Sequence, residues 1–460
     1  SQQARDAKAM YTVKEGKTGV MVAASKYKQG YYKYKDVADK TTKRWNKDSD
    51  YENEKVSLKL AQELTDTSNL EFEYNYTKAD GNVPYGYATT QSDKKTNNFG
   101  LKYDWLLKDK DAGYVQLYYN KYKFLSSSTL EEKDKGFEVQ QAITASDNNK
   151  LVVGASYRNA EASNDGRNYA AKYNEKINNK AIFVSDQWEF IPSWTLDTGV
   201  RYDKHSTAGS KTTWSAGLNK KFDENSHAYF NWGQVFKAPT LDDLYYNAPG
   251  MYGNPNLKAE KGDTWTIGYG TKIADKTSLN VNYFQSKLED AIKWVDIGNH
   301  ESEARNIAHQ KKNGIEISVN HELNDNWDLE ASYTHVRVRN DNNDGNGYVR
   351  DTSYLPNMYR FGVRYHDDLW NADLFLRGGS GADTSGANNW NGDYAQKYVD
   401  SNYVTLDMSV SYKASKALSF YAKGYNLLNK AYAESAGAVN YAYSYPAQGR
   451  RFIIGAEYTF

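Results

Sequence analysis

VTLDMSVSYKASK, residues 404–416, carries the two features that decide the fold. Val404, Leu406, Met408, Val410 and Tyr412 fall on one side of an extended chain, and Thr405, Asp407, Ser409 and Ser411 on the other. A period of two with one apolar and one polar row reads as a β-strand between two different media. KASK then supplies a short polar turn. WTLDTGVRYD (194–203) and WDLEASYT (327–334) repeat the alternation, with Trp194, Leu196, Val200 and Tyr202 opposing Asp197, Arg201 and Asp203 in the first. Lipid on one side and water on the other requires this pattern; a sandwich core can produce it as well.

Working outward from 404–416, the connections separate those two architectures. Short polar turns occur at TDTS (65–68), KDKDAG (108–113), SDNN (146–149), IPS (191–193), DENS (223–226), ADKT (274–277), NDN (324–326), HDD (366–368) and KASK (413–416). Between them lie long Gly/Asn/Tyr-rich loops near 37–51, 79–95, 125–134, 159–178, 238–262, 296–306, 339–353, 380–400 and 429–448. Short turns at one end and long loops at the other describe an up-and-down transmembrane antiparallel β-barrel. Nineteen strands are predicted from Glu54 to Phe460, one of them running over 278–295, and residues 7–36 hold up to three more. Single-chain bacterial barrels have even strand numbers, which implies 20 or 22; 22 is the expectation, and it places both termini at the short-turn end. A single barrel domain over 1–460 is expected.

Composition fits that class. The 460 residues hold 58 basic and 58 acidic side chains, no cysteine, 41 tyrosines and 11 tryptophans. Balanced charge gives no footprint for nucleic acid. No run of about 18 apolar residues occurs, so no strand of sequence reads as a membrane helix. A mean hydropathy of −0.86 beside 15% aromatic residues suits strands that alternate between lipid and lumen.

Residues 227–270 hold the most distinctive connection. HAYFNWGQVF breaks at Pro239 in FKAP; a loop, TLDDLYYNAPGMYG, follows, closes with NPNL at 254–257, and leads to TWTIGYG. Prolines 239, 249 and 255 confine the ladder to the flanks. FKAP followed by YGNPNLKAEK resembles the FRAP and NPNL elements of TonB-dependent outer-membrane transporters. NIAHQKKNGIEISV, with Asn306 before Gly314, Ile315 and Glu316, is similar to a further recurring pattern of theirs. YNLLNKAY (425–432) and the terminal GRRFIIGAEYTF resemble their late segments. Within the family, the terse loop is most similar to that of the cobalamin receptors. No histidine lies in 240–253, which argues against axial heme ligation there.

The resemblance implies an outer-membrane protein that imports a scarce metal chelate, first of all a corrinoid, driven by the inner-membrane TonB complex. A ferric-siderophore or heme receptor and a passive porin-like channel are the alternatives. It also implies an N-terminal plug, for which no segment is found in this sequence. The plug is expected either to be a separate polypeptide or to have been removed.

For ligand contact the candidates are loop aromatics: Tyr245, Tyr246, Met251 and Tyr252 in the FKAP–NPNL loop, Trp390 in NNWNGDY, and Tyr441 and Tyr443, with Tyr445, in NYAYSYP. A tyrosine offers a rigid face with a polar tip, suited to a bulky amphipathic ligand. The same residues also build interfacial girdles and pack loops on one another. Calcium in the extracellular loops is a further expectation: Asn340, Asn342, Asp344, Gly345 and Asp351 sit at EF-hand-like offsets, although such runs are also ordinary turns. Asp48, Asp50, Asp80 and Asp93 are scattered through earlier loops. None of the seven histidines falls in H-E-x-x-H, and neither G-x-S-x-G nor a P-loop occurs, so no enzyme is indicated.

Overall fold

Each of the nine short turns joins two long antiparallel strands, and a tenth joins Glu15 to Thr18. The computed structural model describes residues 4–31, 33–35, 42–44, 50–85, 88–126, 128–167, 172–299, 301–307, 309–341, 345–351, 355–381, 402–432 and 447–460. The first staves are β1 (Ala4–Glu15), β2 (Thr18–Gln29), β3 (Tyr51–Thr65), β4 (Ser68–Tyr85), β5 (Asp93–Leu107), β6 (Asp111–Leu125) and β7 (Thr129–Ser146). Next come β8 (Asn149–Asp165), β9 (Lys172–Ile191), β10 (Trp194–His205), β11 (Gly209–Lys221), β12 (Ser226–Lys237), β13 (Glu260–Ala274) and β14 (Thr277–Glu289). The wall ends with β15 (His309–Asn324), β16 (Trp327–Asp341), β17 (Asn357–His366), β18 (Trp370–Ser380), β19 (Tyr403–Lys413), β20 (Leu418–Tyr425) and β21 (Arg451–Tyr458).

Every stave pairs with its sequence neighbours, antiparallel throughout. Two short strands, Ala88–Gln91 and Val349–Arg350, hang on β4 and β16 and bring the sheet to 23. The all-β antiparallel barrel wall expected from the sequence is therefore present, with 21 described staves. Residues 7–36 contribute two staves. Because β1 runs into the short turn Glu15–Thr18, Ala4 lies at the long-loop end, whereas the chain had been expected to place both ends at the short turns.

The register puts like with like around the wall. Val13 faces Val20, then Leu60, Phe72, Leu101, Leu117, Phe137 and Tyr157 follow across successive strands. At the far side Phe361, Leu376 and Leu406 continue the row. Most of these side chains are exposed, Leu117 by 50% and Phe361 by 46%, so the apolar row is the outer surface. A wall that exposes aliphatic and aromatic residues in rows is solvated by lipid. The opposite row carries ion pairs: Lys59 with Glu71 (2.7 Å), Arg360 with Glu330 (2.8 Å), Arg364 with Asp373 (2.8 Å) and Arg377 with Asp407 (3.1 Å). No described helix is long and apolar enough to cross a membrane; the crossing is made by strands.

Candidate ligand-binding site at the long-loop mouth

Beyond Pro239, which is almost fully buried, the FKAP–NPNL loop folds into a compact cap instead of hanging free. Helix α1 (Leu241–Tyr245) starts at Thr240, whose hydroxyl accepts from the Asp243 amide while Asp243 reaches back to the Thr240 amide. This capping box satisfies two orphan helix donors. Leu241 and Leu244 are buried, Leu244 against Leu257 and Ala304, and Leu241 against Ala162, Tyr173 and Ala248. Asn247–Ala248 and Met251–Tyr252 form a tiny hairpin across Pro249 and Gly250, whose φ of 83° suits glycine. That hairpin pairs in parallel with Glu301–Asn306, itself paired with Ile292–Gly298.

The 292–306 hairpin corrects the single strand expected over 278–295. The break falls at Asp290, which adopts φ 55°. Asn306 holds the break: its amide donates to the carbonyls of Asp290 (2.5 Å) and Lys258 (3.0 Å), and its carbonyl accepts from the Lys258 amide (2.9 Å). One asparagine thus ties NPNL to the neighbouring loop. Within NPNL, the Asn254 side chain accepts from the Asn256 amide, and Leu257 enters the cap's core. Glu260 joins the same junction, pairing with Lys237 (3.0 Å) and accepting from the Ile292 amide (3.0 Å).

Four of the candidate contact residues lie in this cap. Tyr246 packs edge-on against Trp294 at 6.0 Å, and Tyr245 packs against both buried clusters. Tyr252 donates to Glu301 (3.0 Å), so its hydroxyl is engaged. Met251 is 43% exposed and is the most open of the four. Trp390, Tyr441, Tyr443 and Tyr445 lie outside the described residues. So do Asn342 and Asp344 of the calcium-like run, and Asp48. Asp351 of that run is engaged, by Lys293 (3.2 Å) and by the Asn340 amide (2.8 Å); Asp80 pairs with Lys78, and Asp93 accepts from Gln91. Among the described residues no group of three or more His, Cys, Asp or Glu is disposed to hold a metal ion.

Below the cap a cavity of about 670 Å³ opens on the lumen side of β7–β12. Pro239 to Asp242 form one side of it and Glu132, Asp134, Arg158, Asn179, Arg201 and Asp203 the other. Arg158 pairs with Asp134 (3.0 Å) and Arg201 with Asp203 (2.9 Å), leaving the lining nearly neutral and rich in donors and acceptors. The Tyr173 hydroxyl donates to Asp242 (2.5 Å), fastening α1 to β9. Asn179 lines this cavity, and its side-chain carbonyl is buried without a hydrogen-bond partner. The TLDD capping box was the readable signal for α1. Tyr173, Trp294, Glu301 and Asn179 gave none, because their partners are distant in sequence.

A one-layer antiparallel wall, apolar outside and charged inside, with a folded cap at the long-loop mouth, defines an outer-membrane barrel of the receptor or transporter kind. The chain belongs to the TonB dependent receptor-like, beta-barrel family, whose model matches residues 13–427. It is 27% identical over 316 residues to the vitamin B12 transporter BtuB of Vibrio vulnificus (strain YJ016), covering 67% of this chain and 47% of that protein. The chain thus spans about half the length of the curated relative it matches. Among the solved structures that share its fold are two receptors. One is the ferric-catecholate import receptor Fiu of E. coli K12, with TM-score 0.78 and 16% identity, covering 100% of this chain and 80% of that one. The other is the siderophore receptor PirA of Pseudomonas aeruginosa, with TM-score 0.73 and 16% identity, covering 99% and 76%. The family is one of transporters and receptors of the bacterial outer membrane, not of enzymes. The comparisons lend no support to a plug supplied as a separate polypeptide.

Proposed function

We propose that this chain forms the barrel wall and ligand-capturing mouth of an active importer for a bulky metal chelate, in the first place a corrinoid. The observation that carries the reading is the ordered cap. A loop held by Asn306, a capped helix and two small hydrophobic clusters is preorganised, which lowers the entropic cost of binding. It sits over a cavity of about 670 Å³, a ligand-sized space lined by paired charges and amides. The matching vitamin B12 transporter supports the corrinoid choice, and Tyr245, Met251 and Tyr252, with Trp390, Tyr441 and Tyr443 from the other long loops, are the proposed contacts. A lumen this wide needs an occluding plug to prevent leakage, and the TonB complex would act through it.

The test is equilibrium binding of cyanocobalamin, a ferric catecholate siderophore and heme to the protein purified from outer membranes. Cyanocobalamin should bind, and Met251→Ala combined with Tyr245→Ala should weaken it by about tenfold, close to 1.4 kcal/mol. Siderophore binding without cobalamin binding would overturn the corrinoid choice, and binding of none of the three would overturn the importer reading.

A further inference from the structure

The outward row changes character along β15 and β16. From the short turns upward, β15 presents Val319, Ile317 and Ile315, and β16 presents Trp327, Leu329, Ala331 and Tyr333. Beyond them the same outward positions become Asn313, Lys311 and His309 on β15, and His335, Arg337, Arg339 and Asp341 on β16. Arg337 stands opposite Asn313, and Arg339 opposite Lys311. Arg350 pairs with Arg339 on its other side and is held by the Gly381 carbonyl (2.8 Å). Trp327 packs on Tyr365 at 4.9 Å and Trp370 on Tyr412 at 4.6 Å, an aromatic band at the short-turn boundary. From Trp327 to Arg337 the strand climbs about 25 Å, at about 3.4 Å per residue and a tilt of about 40°, which is the height of a barrel's apolar band. The basic cluster therefore lies where the opposite boundary falls.

Its charges have no counter-ion within the wall. Other outward lysines at this end meet carboxylates: Lys26 meets Glu52 (2.5 Å) and Glu54 (2.7 Å), Lys121 and Lys133 meet Glu131 (3.3 and 3.4 Å), and Lys287 meets Glu289 (3.3 Å). Among the described residues no carboxylate forms an ion pair with Lys311, Arg337 or Arg339. The Arg339 Nε is buried without a hydrogen-bond partner. The Lys311 ammonium sits over the Tyr348 ring at 4.0 Å, which fixes its position and leaves its charge unneutralised. Glu289 and Asp341 border the cluster on the loop side, both in register with His309, and Glu289 is already engaged by Lys287. From β13 to β18 every described outward lysine or arginine, Lys261, Lys287, Lys311, Arg337 and Arg339, lies at the long-loop end. Three like charges set side by side at a membrane boundary repel one another unless an anion from outside the chain joins them.

We propose that Lys311, Arg337 and Arg339, on the lipid face of β15–β16, dock the phosphate-bearing headgroup of a lipid in the leaflet on the long-loop side. Two guanidiniums two residues apart on one strand stand about 7 Å from each other, with Lys311 about 5 Å across from Arg339. Guanidinium forks match phosphate oxygens in pairs, and the lysine adds a point charge. The acyl chains lie below, along Ile315, Ile317 and Tyr333. Because the site faces lipid and not the lumen, it stands or falls independently of which ligand is imported.

Native mass spectrometry of the full protein, purified from outer membranes in neutral detergent, reads the site. The probes are bisphosphorylated lipid A, its dephosphorylated form and inorganic phosphate. Bisphosphorylated lipid A should bind, and Lys311→Gln, Arg337→Gln and Arg339→Gln should each weaken it about fivefold. Lys26→Gln, which removes an outward cation that is already paired, should leave binding unchanged. Arginine labelling with phenylglyoxal on the unsubstituted protein needs no variant to fold: bisphosphorylated lipid A should slow modification of Arg337 and Arg339, and the dephosphorylated form should not. Equal binding of the two lipid forms, unchanged affinity in all three variants, or equal labelling with and without the phosphorylated lipid would each overturn the proposal. Displacement of the lipid by an equal concentration of inorganic phosphate would overturn the lipid as its occupant.

Discussion

Two asparagines and a glycine show what the family-like motifs do physically. Asn306 bridges backbone groups 16 and 48 residues away. Asn426, only 3% exposed and at φ 48°, does the same for the last loop: it bonds the Lys430 amide and carbonyl and the Gln448 carbonyl, while its own amide donates to Asp407. Gly314 lies so close to the next strand that a Cβ would stand 2.3 Å from the His335 carbonyl and 2.6 Å from the Phe284 ring. The sequence displayed all three residues as landmarks, but not what they hold, because their partners are remote in the chain. Removing Asn306 takes away three hydrogen bonds, to the Asp290 and Lys258 carbonyls and from the Lys258 amide, each contributing about 0.5–1.5 kcal/mol. Asn306→Ala should therefore leave barrel assembly intact while hydrogen exchange accelerates over 251–258 and 290–306. Unchanged exchange there would mean that the clamp is dispensable.

Among the elements, strands were the most legible feature, because a two-residue period and polar turns are local. All nineteen strands predicted from residue 54 onward form at the expected places, with 278–295 split by the left-handed Asp290. The cap was not legible: its mini-sheet joins residues 247–252 to 292–306, and no local pattern announces that meeting. The turns also carry chemistry. In the turn after β17, the Tyr365 hydroxyl donates to Asp367, as do the amides of Trp370 (2.6 Å) and Leu369 (2.8 Å), and together they hold its carboxyl below the usual carboxylate range. A carboxyl depressed on folding adds stability above its unfolded value, near 4, and loses it as pH falls through the lower folded value. Asp367→Asn should thus lower thermal stability at neutral pH, and the difference from the parent should shrink below about pH 4. Melts in detergent from pH 2 to 7 measure it; a pH-independent difference would assign the effect to packing instead.

At the scale of the whole molecule, the outer and inner rows are solvated differently, and that difference predicts opposite sensitivities. The inner ion pairs are partly exposed to a watered lumen. Lys59, for example, lies between Glu71 (2.7 Å) and Glu73 (3.3 Å) with its side chain 37% exposed. Such pairs contribute little individually, about 0–1 kcal/mol, because water and salt screen them. The outer row has no such screening. Ile182, near the middle of β9 and facing Tyr202 and Ala155, is 62% exposed to what the barrel wall makes lipid. A lysine there must be dragged from water into hydrocarbon, at roughly 2–4 kcal/mol near the midplane. Ile182→Lys should therefore cut the yield of heat-modifiable folded barrel in the outer membrane severely, while Lys59→Ala, which removes a charge from the lumen, should change it little. Equal effects would mean that the two rows share one environment, and the assignment of outside and inside would fail with them.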